Sequence, residues 1–461
     1  MRGLLVAFGI IFMIVGTAAV LVPWLRRKRD LMTSWNLFLL GAVNFAGLSA
    51  IQTGSTQWHR YGSFDGGDIL RYLVGSICFW VTVFLVYYLA KFPRQIGASR
   101  LRKWANPSTP AVLFAIGLCA LMTLGNVYVP QVQFLGQIAG TFGGNAPMIM
   151  LALALFLWHR RRWNPFWLAG VVLAFIWAGY LGISAGSGRR NFMSAICTVP
   201  LCFYWLSWRY KSLGRVVVPM LLGAAMVGVG VIGLSLARSV NIRASGRFEL
   251  ATTKVIIAPT QLMEHGSKWA SFLGGDATEA GLTAVNLYTK WKPREQVPFF
   301  TLYYILAQPI PRAWWPEKPR ALGETLPLDT GWVSKYGPVS WGASIVGHCY
   351  QEGGWYMAIF YGLLFGAAFR FFDEILVRNA SNPFVLGILG TASSHIVGLS
   401  RGDMSLFCSL ILGICLTCLL LSFVTRMIFG TKVYGEGSLP QSEQEPSPAF
   451  AEPVAVQPLA A

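Results

Sequence analysis

Residues 3–24 read GLLVAFGIIFMIVGTAAVLVPW, and Arg26, Arg27, Lys28 and Arg29 follow almost at once. The run contains no ionisable side chain and is long enough to cross a bilayer. A crossing takes ~20 mostly apolar residues, because every backbone N–H and C=O must be satisfied inside the helix where no water is present. A secretory signal would carry its positive charge ahead of the apolar run and close on a small-residue cleavage site. Here the basic cluster comes after the run and no such site precedes it, so the segment is expected to be a first membrane span. Composition extends the reading to the whole chain. Of 461 residues, 54% are hydrophobic, 14% aromatic and only 12% charged, and the mean hydropathy is +0.52. No soluble fold needs that balance.

Working outward from the first run, further apolar segments predict spans near Trp35 to Thr53, Ile69 to Phe92, Ala111 to Val129, Gln133 to Trp158, Phe166 to Ser184, Asn191 to Trp208 and Val216 to Leu236. After a long polar stretch come Tyr356 to Phe372, Phe384 to Ser400 and Ser405 to Ile428, with Leu4 to Trp24 as the first. The expected fold class is therefore an all-α polytopic integral membrane protein with about eleven (ten to twelve) transmembrane helices and one large extracytoplasmic loop before the last three spans. The segment Phe299 to Ile310 is the reason for the upper bound, since it is apolar enough to dip into the membrane as an interfacial element. The domain organisation reads as residues 1–237 (eight spans), 238–355 (outer loop with short helices), 356–428 (three spans) and 429–461, a tail rich in Pro, Glu, Ser and Ala that is expected to be disordered and cytoplasmic.

Orientation follows from Lys and Arg in short loops, which stay on the cytoplasmic side. Alternate loops hold Arg26 to Arg29, then Lys91, Arg94, Arg100, Arg102 and Lys103, then Arg160 to Arg162, then Arg209, Lys211 and Arg215. The loops between them are nearly bare, with only Arg60 between Gly54 and Asp68 and neither Lys nor Arg between Tyr128 and Pro147. This predicts an N-terminus outside and a C-terminus in the cytoplasm, with Arg238 to Trp355 extracytoplasmic; the membrane is expected to be a bacterial inner membrane. The net charge of +18 then reflects topology and contact with anionic membrane lipids, not nucleic acid. Seven of the eight cysteines fall in expected spans and only Cys349 in the outer loop, so neither a disulfide framework nor metal-ligand spacing is present, and no metal or other cofactor is expected. A Walker loop, a dinucleotide-type glycine fingerprint and internal repeats are all missing, which argues against coupling to ATP.

Chemistry is sought where polar groups gather at the outer face. The turn GSGRRN at 186–191 offers Arg189 and Arg190, either as snorkelling arginines or as phosphate ligands. The start of the long loop, ARSVNIRASGRFE, offers Arg238, Arg243 and Arg247; if the preceding helix continues outward, Arg243 and Arg247 share a face and Arg238 lies within about two turns of both, either solvated or binding phosphate. The third cluster is QPIPRAWWPEKP at 308–319, where four prolines forbid a regular helix. Arg312 and Lys318 add charge there, and Trp314 and Trp315 form either an interfacial belt or a platform for sugar rings. Downstream, GHCYQEGGW at 347–355 holds His348 and Glu352 four residues apart, so on a helix they share a face, and an imidazole backed by a carboxylate suits a general base. The bland alternative is that His348 is a packing residue.

The segment IPRAWWPEKP resembles the proline-arginine-tryptophan-proline-lysine-proline signature of the O-antigen polymerase (Wzy-like) family of oligosaccharide repeat unit polymerases. The stretch from Gly347 to Trp355, the turn GSGRRNF and Arg401-Gly402-Asp403 before the last span are similar to further motifs of that family, although His348 stands where the family often has glutamate. The resemblance covers the C-terminal part of the chain. It implies an enzyme that joins undecaprenyl-diphosphate-linked oligosaccharides at the outer face of the inner membrane, in company with a flippase and a chain-length regulator of the same pathway. It further implies that Arg189, Arg190, Arg238, Arg243, Arg247, Arg312, Lys318 and Arg401, with Trp314 and Trp315, include the substrate ligands. His348, Glu352 or Asp403 would supply the base or orienting group. Rival readings are an O-antigen ligase or another lipid-carrier glycosyltransferase, for which Asp65 and Asp68 in the first outer loop would be the acids, and a transporter of lipid-linked oligosaccharide. A transporter would want ionisable groups at the bilayer midplane, where this chain has little beyond His395, Asn44 and Arg71.

Overall fold

A computed structural model describes residues 1–56, 64–100, 106–128, 139–184, 189–239, 247–265, 276–290, 295–333 and 340–430. Every regular element among them is helical. Eight helices are long and apolar enough to cross a membrane: α1 (Arg2–Leu25), α2 (Ser34–Ser55), α3 (Gly66–Leu89), α4 (Thr109–Asn126), α5 (Ala139–Arg160), α6 (Pro165–Ile183) and, late in the chain, α14 (Trp355–Arg378) and α16 (Met404–Phe429). The protein is a helical membrane protein. The other three expected spans are also helices but depart from the pattern. α7 (Arg189–Leu206) opens on two arginines and carries Pro200. α8 (Leu213–Ser239) is strongly apolar over Leu213–Met226. α15 (Pro383–Gly398) has only 16 residues, a length of about 24 Å against a hydrocarbon core of ~30 Å.

Helix starts follow from local chemistry. Thr33 caps α2 by accepting from the Asn36 N–H, Asp65 and Asp68 form a reciprocal capping box at α3, and Asn382 caps α15 ahead of a proline at its first position. Each is a short polar side chain placed just before an apolar run, where it satisfies an amide the helix cannot. The middle of α2, Val43–Leu48, is a π-helical turn, a device that rotates the residues on either side relative to each other.

α3 and α14 run side by side. Gly362 and Gly366 of α14 form a small-xxx-small face, where a Cβ would stand 2.9 Å from the Phe79 and Val83 carbonyl oxygens of α3. Such close backbone approach is how helices associate where lipid supplies no hydrophobic drive. α5 from Ala146 to Leu157 and α15 from Pro383 to Ile396 are buried on every side, so they form the centre of the bundle. Ser194 of α7 joins α15 through the Thr391 carbonyl at 2.8 Å and the Ser394 hydroxyl at 2.6 Å.

The basic loops gather at one end of the bundle. Tyr204 and Arg209 both reach Asp30 at 3.1 Å, Arg160 donates to the Pro107 carbonyl, and Asn106 bonds Ser381. Burial raises the Asp30 carboxyl, opposed by Arg209 and Tyr204. At this end α14 continues past the expected boundary at Phe372 to Arg378. Its buried Asp373 accepts from Ser34 N–H (2.8 Å), Ser34 hydroxyl (2.6 Å), Trp35 N–H (3.3 Å) and Tyr87 hydroxyl (2.8 Å). Trp35 stacks on Tyr87 at 4.3 Å beside it.

The opposite end carries the long-loop helices α9 (Arg247–His265), α10 (Ala277–Thr289), α11 (Phe300–Ala307), α12 (Leu322–Asp329) and α13 (Ser344–Glu352). α11 falls within the segment expected to be interfacial. Lys290, just after α10, pairs with Asp65 and lies 3.5 Å from Asp68, and Tyr350 of α13 donates to the Arg71 carbonyl at 2.7 Å. The C-terminal tail beyond Gly430 lies outside the described residues.

Candidate functional site

The site is built at the end away from the basic loops, around the turn at residues 400–404. Gly402 packs so tightly on the Phe407 ring, and Gly342 on the Arg401 carbonyl, that neither position has room for a Cβ. The chain can then turn inward and present Asp403 at the N-terminus of α16. Asp403 Oδ1 accepts from the Leu406 N–H at 3.0 Å and the Ser405 hydroxyl at 2.5 Å, while Oδ2 accepts from the Gly323 N–H at 2.6 Å. One carboxylate thus caps α16 and fixes the start of α12. The Arg401 carbonyl accepts from the Ser344 N–H at 3.2 Å, which ties in α13 as well.

His348 is fully buried. Its Nε2 accepts from the Met404 N–H at 3.0 Å, so the proton of the neutral ring is on Nδ1, which has no hydrogen-bond partner among the described residues. Asp403 Oδ1 lies 3.6 Å away, beyond hydrogen-bonding distance. Burial lowers the His348 pKa and Asp403 opposes that. The expectation that Glu352 backs this imidazole is corrected: Asp403 is the carboxylate that approaches it. Glu352, equally buried, accepts from Thr301 N–H (2.9 Å), Thr301 hydroxyl (2.5 Å) and Tyr361 hydroxyl (2.6 Å). Burial raises its carboxyl and those hydrogen bonds oppose the rise. Glu352 therefore joins α11, α13 and α14.

The proline-rich segment closes on itself. Lys318 Nζ donates to the Gln308 and Ile310 carbonyls at 2.6 and 3.0 Å, and Arg312 donates to the Lys318 and Pro319 carbonyls at 2.8 and 3.3 Å. Both cations keep further donors, and both line a cleft of about 510 Å³ with Tyr304, Gln308, Pro311, Ala313 and Glu324. Burial and the nearby Arg312 lower the Lys318 pKa, opposed by Glu324. The Tyr304 hydroxyl is raised by burial, then by Asp403 and Glu324, with Arg312 opposing. Tyr304 thus feels both the cleft charges and the Asp403 turn, which makes these two features neighbours.

Other expected ligands are placed as follows. Arg401 pairs with Asp276 at 3.2 Å and lies 5.5 Å from the Phe45 ring of the π-helical turn. The Arg190 guanidinium sits 4.5 Å from the Phe407 ring, the same ring that packs on Gly402. Trp315 meets Tyr303 edge-on at 6.0 Å and Trp314 is 66% exposed; neither lines the cleft. Arg243 lies outside the described residues, as do the side chains of Arg189, Arg238 and Arg247, whose backbones are helical. Among the described residues no three His, Cys, Asp or Glu side chains gather as metal ligands. Sequence reasoning missed Tyr304, Glu324 and Asp276, because nothing in their local composition marks them and only the fold brings them to the arginines.

Comparison with protein-family models, with curated proteins and with solved structures finds no match.

Proposed function

We propose that this protein polymerises undecaprenyl-diphosphate-linked oligosaccharide repeat units into a surface or secreted polysaccharide, working at the outer face of a bacterial inner membrane. In this reading the end bearing the basic loops is cytoplasmic, the chain makes eleven crossings and the cleft opens outside. The observation that carries the reading is the cleft between the Gln308–Pro319 segment and α12, where Arg312 and Lys318 stand together. A departing lipid diphosphate must be neutralised as charge develops on it, and guanidinium and ammonium donors held in place by their own loop's carbonyls do that well. Arg401 and Arg190, on or beside the adjoining turn, extend the positive field along the same end. His348, Asp403 and Glu352 serve as the frame that holds α11, α12, α13 and α16 in place.

The test is deletion of the gene, followed by gels of surface and secreted glycan with extraction of lipid-linked intermediates. Loss of the polymer ladder with single repeat units still exported is the expected result. Retention of polymer, or lipid-linked units trapped on the cytoplasmic side, overturns it. In complementation, Arg312→Ala and Arg401→Ala are each expected to abolish polymer at wild-type protein level in the membrane, and normal chain lengths from both would remove the arginines from the site.

A further inference from the structure

We propose that Glu324 is the carboxylate that accepts the proton of the attacking sugar hydroxyl, an inference that rests on the polymerase reading above. The three acid–base groups nominated by sequence are all committed elsewhere. His348 is fully buried and its Nε2 holds the Met404 N–H. Both oxygens of Asp403 and both of Glu352 are taken by hydrogen bonds within the protein. A general base needs a lone pair within reach of the substrate, and all three groups are buried and stand outside the lining of the cleft.

Glu324 does. It is the carboxylate among the residues lining the cleft, its side chain is 43% exposed, and its ion-pair contact is a loose one to Arg320 at 3.7 Å. The backbone that carries it is held on both sides of the preceding residue, since the Gly323 N–H donates to Asp403 and the Gly323 carbonyl accepts from the Trp341 N–H at 2.9 Å. The cleft therefore carries cations, Arg312 and Lys318, together with a carboxylate. Displacement at an anomeric carbon calls for both: positive charge for the leaving diphosphate and a proton acceptor for the incoming hydroxyl. The acceptor oxygen bonds to the anomeric carbon, the bond from that carbon to the diphosphate oxygen breaks with its electron pair going to the diphosphate, and the hydroxyl proton passes to Glu324. The products are a longer glycan on the acceptor lipid, free lipid diphosphate and a protonated Glu324 that returns its proton to water.

The experiment uses full-length protein in lipid nanodiscs, supplied with lipid-linked oligosaccharide extracted from the deletion strain. Polymer formation and the amount of bound lipid-linked oligosaccharide are both measured. Glu324→Gln is expected to lower turnover ~10²-fold or more with binding unchanged, and Glu324→Asp to retain part of the activity. Turnover of Glu324→Gln within about threefold of wild type overturns the inference while the polymerase reading stands. Loss of binding in parallel with turnover overturns it too, because Glu324 would then hold substrate and not move its proton. Wild-type protein that binds the lipid-linked substrate but makes no polymer overturns the polymerase reading, and the inference with it.

Discussion

Asp373 and Asp403 are both buried carboxylates set against the first turn of a membrane helix, at opposite ends of the same bundle. Around Asp373 four hydrogen bonds converge from Ser34, Trp35 and Tyr87, roofed by stacked aromatic rings. Around Asp403 the bonds run to its own helix and to Gly323, and the next features outward are a glycine turn, a histidine with one nitrogen lacking a hydrogen-bond partner among the described residues, and a cationic cleft. The same device closes one end and holds the other open. Polar groups buried within a bundle are costly unless satisfied, and satisfaction alone does not separate structure from function. What separates them is what the satisfied group holds in place: Asp373 joins α2, α3 and α14, whereas Asp403 fixes Gly323, the neighbour of the cleft-lining Glu324.

α3 and α14 run side by side between the two ends, and the most damaging change strikes there. Gly366→Leu would drive a side chain into the Val83 carbonyl and Val86, and is expected to abolish folded protein, read as loss of monodisperse material after detergent extraction. Next in size, Asp373→Ala leaves buried donors on Ser34, Trp35 and Tyr87 unpaired and is expected to lower stability by roughly 3 kcal/mol. Asp403→Asn keeps one acceptor and is expected to cost about 1 kcal/mol, the scale of a helix cap, and, on the polymerase reading proposed above, to reduce polymer output well beyond any fall in protein level. Equal stability losses, with polymer tracking abundance in both, would erase the distinction between the two carboxylates.

The smallest expected effect is a pH dependence. The neutral His348 ring accepts the Met404 N–H, and its folded pKa lies below the ordinary value. On acidification the unfolded chain, titrating near ~6.5, takes the proton first. The contribution of His348 to stability is therefore full above about pH 6.5 and declines as the pH falls below it. His348→Gln, which keeps an acceptor without a titration, should flatten that part of the difference in thermal midpoint between about pH 7.5 and pH 5. An unchanged acid slope in the variant would mean the imidazole is not the group responsible.

Much of this fold was legible in the sequence, because bilayer crossing imposes length and hydropathy and because Asp65 and Asp403 are caps that a reader can recognise before an apolar run. The gathering of basic loops at one end also follows from alternation alone. Partner choice was not legible. The four-residue spacing of His348 and Glu352 fixes only a shared helical face, and the group that meets the imidazole comes from a position 56 residues on. Asp373 falls just outside the expected span because Asp373 and Glu374 end the hydropathic run at Phe372, although donors 339 and 286 positions away make its burial tolerable. The spacing of Gly362 and Gly366 did carry a readable small-xxx-small signal, one that an inventory of charged residues passes over. Arg312 and Lys318 were legible as cations, but their use in closing their own loop depends on carbonyls that prolines leave in fixed positions.

The enclosure of α15 bears on how the protein is made. A segment that touches no lipid gains nothing by leaving the translocation machinery alone, and α15 carries Thr391, Ser393, Ser394 and His395 on surfaces that only α7, α16 and their neighbours can cover. Its lodging in the bilayer therefore waits on helices synthesised both before and after it. The enclosure therefore couples the two halves of the chain: α15 is fully covered only once helices from both sides of it in sequence are in place, and the turn bearing Arg401 and Asp403 follows directly from it.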